Sequence, residues 1–153
     1  MLKHIIQQGK TCLLTSLAMV LNQTYEETRN DIGTDGQQVN PDWNGWSKYP
    51  YYGIHKQLVL DYCYRKGIIL LSIDAVPCSL PADLPAGNPY IIFPLDYAAY
   101  RLKSYMSQYD GILISNTHAC AWDSERQMIL DPNGIITNID DFEVKEFWAF
   151  VRL

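Results

Sequence analysis

Gln7-Gln8-Gly9-Lys10-Thr11-Cys12-Leu13-Leu14-Thr15-Ser16-Leu17-Ala18-Met19-Val20-Leu21 decides how the rest of this chain is read. The stretch begins polar and broken by a glycine, then turns abruptly into a helix-forming run. Leu13, Leu17 and Val20 make one stripe at helical spacing, and Leu14, Ala18 and Leu21 make the next. A helix apolar on nearly every side belongs in the middle of a core. Thr11 stands where an N-cap is expected, which sets Cys12 in the first turn. There, unpaired amide N–H groups and the positive end of the helix dipole favour a thiolate. With amide side chains just upstream, this is what a cysteine nucleophile needs. Free cysteine is more often a small buried hydrophobe, however, so Cys12 alone does not decide the matter.

The 153 residues, 48% hydrophobic and 19% charged, suit a single globular domain over the whole length. A chain of this size buries about two-thirds of its unfolded surface. A net charge of −5 and the absence of a Lys/Arg cluster argue against nucleic acid or an anionic membrane as partner. Four cysteines, Cys12, Cys63, Cys78 and Cys120, are too few and too scattered for a disulfide scaffold, and none forms a C-x-x-C pair. His118-x-Cys120 offers two metal ligands on one strand face, with nothing in the sequence to supply the others, so no metal is expected. Lys3 and Lys10 ahead of the apolar run mimic a secretory signal. Leu21-Asn22-Gln23 offers no small-residue cleavage site, and the run is too short to span a bilayer. The expectation is a core helix in a cytoplasmic protein.

Downstream, Thr24 and Glu27 form a capping-box pair opening a short helix that Gly33 and Gly36 end. Asn40 to Gly53 is a long aromatic loop, and loops of that length often lie over a binding site. Trp43 and Trp46 are therefore candidates for substrate contact, balanced against the alternative that they plug the loop onto the body. Ile54 to Lys66 has amphipathic helical spacing with Gly67 as its stop, and Ile68 to Ile73 is a strand rich in branched residues. A proline-rich connector, a strand at Tyr90 to Phe93 and a helix from Asp96 follow, and Phe142 to Val151 is expected to close the sheet.

The clearest hairpin joins Thr117–Trp122 to Gln127–Asp131 through Asp123-Ser124-Glu125-Arg126. With the turn centred between Ser124 and Glu125, Trp122 faces Gln127, Cys120 faces Ile129 and His118 faces Asp131. Side chains so opposed stand about 5 Å apart at Cβ, close enough for a carboxylate to accept a hydrogen bond from an imidazole. Singly, His118 could be a core histidine and Asp131 the start of an Asp-Pro turn. Jointly with Cys12 they make a thiol to attack, an imidazole to carry the proton and an acceptor to hold the ring.

Thr11 to Asn22, the later His118 and Asp131-Pro132-Asn133-Gly134 resemble the C39-like branch of papain-fold cysteine peptidases. In that family the motifs run in this order: a glutamine, a cysteine on the central helix, a histidine on a strand, an aspartate in an Asp-Pro turn. The resemblance implies an α+β papain-like fold, with the N-terminal helix packed on an antiparallel sheet and the site between them. It also implies Cys12 as nucleophile, His118 as general base and acid, and Asp131 as the residue that orients the ring. The family's oxyanion glutamine precedes the cysteine by six positions, which here is Ile6; Gln7 and Gln8 stand at five and four, and Gln7 is the nearer match.

The function these features point to is a small, metal- and cofactor-independent thiol hydrolase. It would cut an amide or isopeptide bond of a peptide or protein through an acyl-enzyme. The same residues could instead pass the acyl group to an amine or thiol, with the aromatic loop shielding the intermediate. A third possibility is a catalytically silent relative that binds a protein partner. The intact Cys, His and Asp set argues against it, and the shifted glutamine argues for it.

Overall fold

The computed structural model describes residues 1–37, 54–74, 102–134, 139 and 142–153. They form an α+β architecture in which three helices, a further helical stretch over 102–106 and a five-stranded antiparallel sheet pack together. The aromatic loop with Trp43 and Trp46, the connector with Cys78, the strand at 90–93 and most of the helix expected from Asp96 lie outside the described residues.

Helix α1 is Cys12–Leu21, and every residue from Leu14 to Val20 is buried, as its all-round apolar pattern requires. Its two interior hydroxyls are satisfied. Ser16 Oγ donates to the Ala119 carbonyl at 3.2 Å, and Thr15 Oγ1 pairs with Thr11 Oγ1 at 3.3 Å. The helix ends at Asn22, which takes the left-handed conformation at φ 56°. Leu14 and Leu17 are fully buried. Truncating either to alanine removes about 2–5 kcal/mol through lost burial and the cavity left behind.

Helix α2, Tyr25–Ile32, opens with the expected capping box: the Thr24 side chain accepts from Glu27 N–H, and the Glu27 carboxylate accepts from Thr24 N–H. Helix α3, Lys56–Arg65, is capped by a residue whose role the sequence did not declare. His55 Nδ1 accepts from Gln57 N–H at 3.1 Å. Gly67 follows in the left-handed region, as its place after the helix suggested.

Strands β1 (Ile68–Asp74), β2 (Gly111–Ile114), β3 (Ala119–Asp123), β4 (Met128–Leu130) and β5 (Glu146–Arg152) lie in the order β1-β5-β2-β3-β4. Helix α1 packs on β3 and β2, and α3 packs on β1. Strand alternation divides the core in two. Ile112, Ala119, Ala121, Leu130 and Trp148 join the helices in one cluster. Leu113, Cys120, Trp122, Ile129 and Phe147 join Met106, Leu102 and Tyr105 in the other. Gly111 is fixed by space: a Cβ there would sit 2.4 Å from the Trp148 carbonyl oxygen and 2.4 Å from the Phe147 ring. No helix among the described residues is long and apolar enough to cross a membrane.

The last hairpin differs from the expected register. Ala121 pairs with Leu130, Trp122 with Ile129 and Asp123 with Met128, so the turn is Ser124 to Gln127 and each partner lies two residues further along. The cause is Asp123, whose carboxylate is fully buried as part of β3. It accepts from Arg126 N–H at 2.8 Å, the Arg126 guanidinium at 2.9 Å and Leu2 N–H at 2.7 Å, and Gln127 closes the turn at φ 53°. A two-residue change leaves every side chain on its expected face.

Candidate active site

Cys12 is the first residue of α1 and is half-buried. Its position gives it the free amide N–H groups of a helix start. Thr11 occupies the N-cap position, but its side chain makes no capping hydrogen bond; Thr11 Oγ1 donates instead to the Gln8 carbonyl at 2.9 Å, tightening the approach to the helix. Gly9 makes that approach possible. It sits at φ 67°, and a Cβ on it would fall 2.3 Å from Gln37 Oε1, the oxygen that accepts from Lys10 N–H at 3.1 Å.

His118 ends the turn between β2 and β3. Ser115 grips both of its backbone groups: Ser115 N–H donates to the His118 carbonyl at 2.9 Å, and Ser115 Oγ accepts from His118 N–H at 3.0 Å. The next residue, Ala119, takes the hydrogen bond from Ser16 of α1. One turn of helix and one residue of strand thus tie Cys12 and His118 to a shared fixed point.

Asp131 follows β4 directly. Its Oδ1 lies 2.8 Å from His118 Nε2 and also accepts from Asn133 N–H at 2.8 Å, so the Asp-Pro turn and the histidine contact use the same oxygen. With Nε2 engaged, Nδ1 is the nitrogen left for a second partner.

The first seven residues play a part that no sequence pattern announced. The N-terminal ammonium pairs with Glu125 at 2.6 Å, and the Arg126 guanidinium donates to the Leu2 carbonyl at 2.6 Å. His4 Nε2 lies 2.6 Å from the Asp131 carbonyl oxygen, and Gln7 N–H donates to the Pro132 carbonyl at 2.8 Å. The segment therefore clamps the β3–β4 turn at one end and the backbone of the Asp-Pro turn at the other.

Cys12 and His118 line one cleft of about 830 Å³ with Gln7, Lys10, Gly36, Gln37 and Thr117. No hydrogen bond joins thiol to imidazole; catalytic hydrogen bonds are often absent or long before a ligand binds. The Gln7 amide nitrogen donates one hydrogen to Asn133 Oδ1 at 2.7 Å and keeps a second, while its Oε1 is buried without a partner among the described residues. Gln8 is exposed and lines a different depression with Lys3, His4 and Thr24, so of the two glutamines just upstream of Cys12 it is Gln7 that shares the cleft with it. Lys10 is the cation of that lining, which holds no carboxylate among the described residues.

The other described cysteines, Cys63 and Cys120, are buried. Burial pushes the Cys63 thiol up to about 12. Burial, then the Asp131 charge, then Cys12, raise the Cys120 thiol further. The expectation that His118-x-Cys120 lacks further ligands needs correction, because Asp131 joins them: the three donor atoms lie within 4.8 Å of one another. Comparison with models of known protein families, with curated proteins and with solved structures yields no match.

Proposed function

We propose that the chain is a papain-like cysteine hydrolase of the C39-like kind, cutting an amide or isopeptide bond in a peptide or protein. The observation that carries this reading is His118, bonded through Nε2 to Asp131 while lining the cleft that Cys12 enters from a helix start. Cys12 Sγ attacks the substrate carbonyl carbon as His118 Nδ1 takes the thiol proton. Asp131 holds the ring and steadies its positive charge. The oxyanion that forms meets Cys12 N–H and the spare hydrogen of the Gln7 amide. His118 then returns the proton to the departing amine, leaving a thioester on Cys12. Water, deprotonated by the same imidazole, releases the acid and restores the thiol.

The cytoplasmic placement belongs to the same proposal. Cys12, Cys63 and Cys120 carry free thiols, the state a reducing compartment maintains. The test is incubation with a diverse peptide library, followed by mass spectrometry of new amino termini. Cleavage by the wild type that disappears in Cys12→Ala supports the hydrolase. Identical product profiles for the two proteins would contradict it and favour the silent relative that only binds.

A further inference from the structure

The strands that bring His118 to Asp131 also carry a third metal-binding side chain, for which the hydrolase reading has no use. Cys120 is fully buried, yet its sulfur, a ring nitrogen of His118 and a carboxylate oxygen of Asp131 all lie within 4.8 Å of one another. Thiolate, imidazole and carboxylate are the donor types zinc takes, at about 2.3, 2.0–2.1 and 2.0–2.2 Å. Tetrahedral placement at those lengths sets the donors roughly 3.3–3.6 Å apart. Cys120 Sγ therefore needs to close on the other two donors by about 1.2 Å at most, and His118 Nε2 and Asp131 Oδ1, now 2.8 Å apart, need to open by about 0.5 Å. Their backbones are already held: His118 by Ser115, Asp131 by His4 and its own turn, Cys120 within β3. An ion arriving through the cleft meets His118 in its lining.

We propose that His118, Cys120 and Asp131 form a site for a thiophilic divalent cation, zinc above all, which competes with the catalytic use of His118. A sulfur and a nitrogen donor select zinc over magnesium or calcium. On binding, sulfur, His118 Nε2 and an Asp131 oxygen each give an electron pair to the metal. The Cys120 thiol proton leaves to solvent, and the His118 hydrogen is carried at Nδ1. Thiolate, carboxylate and zinc then sum to no net charge, which suits a buried position. A ring protonated at Nδ1 and metallated at Nε2 cannot accept the Cys12 proton, so the ion is a reversible inhibitor. That consequence rests on the hydrolase reading; the binding does not.

Cobalt(II) and zinc are the probes, added to the reduced full chain. Cobalt should give thiolate-to-metal charge-transfer absorption in the wild type and in Cys12→Ala, and none in Cys120→Ala. Zinc affinity, measured against a chromophoric chelator, should fall by about tenfold or more in Cys120→Ala and in Asp131→Asn, and stay unchanged in Cys12→Ala. Absorption that is missing from the wild type, that persists in Cys120→Ala or that vanishes in Cys12→Ala would overturn the site. Should Cys120→Ala fail to fold, Asp131→Asn and His118→Ala carry the same zinc test, and wild-type affinity in both would overturn it. None of these readouts needs turnover, so failure of the zinc site and failure of the hydrolase are told apart.

Discussion

His118 Nε2 lies 2.8 Å from Asp131 Oδ1, although the two residues do not face each other across the hairpin. Extended past Ala121–Leu130, the register sets Asp131 opposite Cys120 and Asn133 opposite His118. The contact is a diagonal one, two residues off the direct partner on the same face, and the long imidazole covers the gap. Asn133 follows the register more closely, with Nδ2 3.5 Å from His118 Nε2.

Asp131→Asn separates the two roles of this residue. An asparagine keeps the oxygen that accepts from Asn133 N–H, so stability should stay within about 1 kcal/mol of wild type by thermal denaturation. It loses the charge that steadies a protonated His118, so turnover should fall by about 10²-fold. Unchanged turnover would reduce Asp131 to a turn residue.

Gln7 and Gln8 should respond oppositely. Gln7→Ala removes the amide that reaches the cleft while leaving its backbone bond to Pro132, and should lower kcat by on the order of 10²-fold with KM little changed. Gln8→Ala changes an exposed residue outside that cleft and should match wild type. Wild-type kcat in both variants would show that the oxyanion donor is neither.

Asp123 predicts how the fold responds to acid. Burial alone would raise its carboxyl, but hydrogen bonds from Arg126 N–H, Leu2 N–H and the Arg126 guanidinium outweigh that and lower it. A carboxyl depressed in the folded state stabilises above its unfolded value, about 3.9, and the gain is lost as pH falls through the lower folded value. Asp123→Asn should therefore cost on the order of 2–3 kcal/mol near neutrality and progressively less toward strongly acidic pH. A pH-independent difference in stability between the two proteins would contradict the assignment.

What the sequence made legible was what local physics dictates. The all-round apolar run became α1, Thr24 and Glu27 became a capping box, and the hairpin put His118 and Asp131 on one face. What it concealed depends on distant partners. Asp123 has a turn-forming side chain, and only Leu2, 121 residues away, together with Arg126, turns it into a buried strand residue and moves the register. Nothing in Met1 to Gln7 has periodicity, so its grip on the Asp-Pro turn through His4 and Gln7 left no local signal. The choice between Gln7 and Gln8 was likewise a matter of where each side chain lies in space, which spacing from Cys12 cannot express.

The rate of Cys12 alkylation tests most directly whether this thiol and His118 act together. Brief iodoacetamide treatment of the folded protein at neutral pH, read by mass spectrometry, should modify Cys12 well before Cys63 or Cys120, both fully buried. In His118→Ala, which leaves α1 and the Ser16–Ala119 bond in place, that rate should fall toward that of an ordinary exposed thiol. Labelling of Cys12 no faster than the buried pair, or equally fast without His118, would contradict the pairing of nucleophile and base.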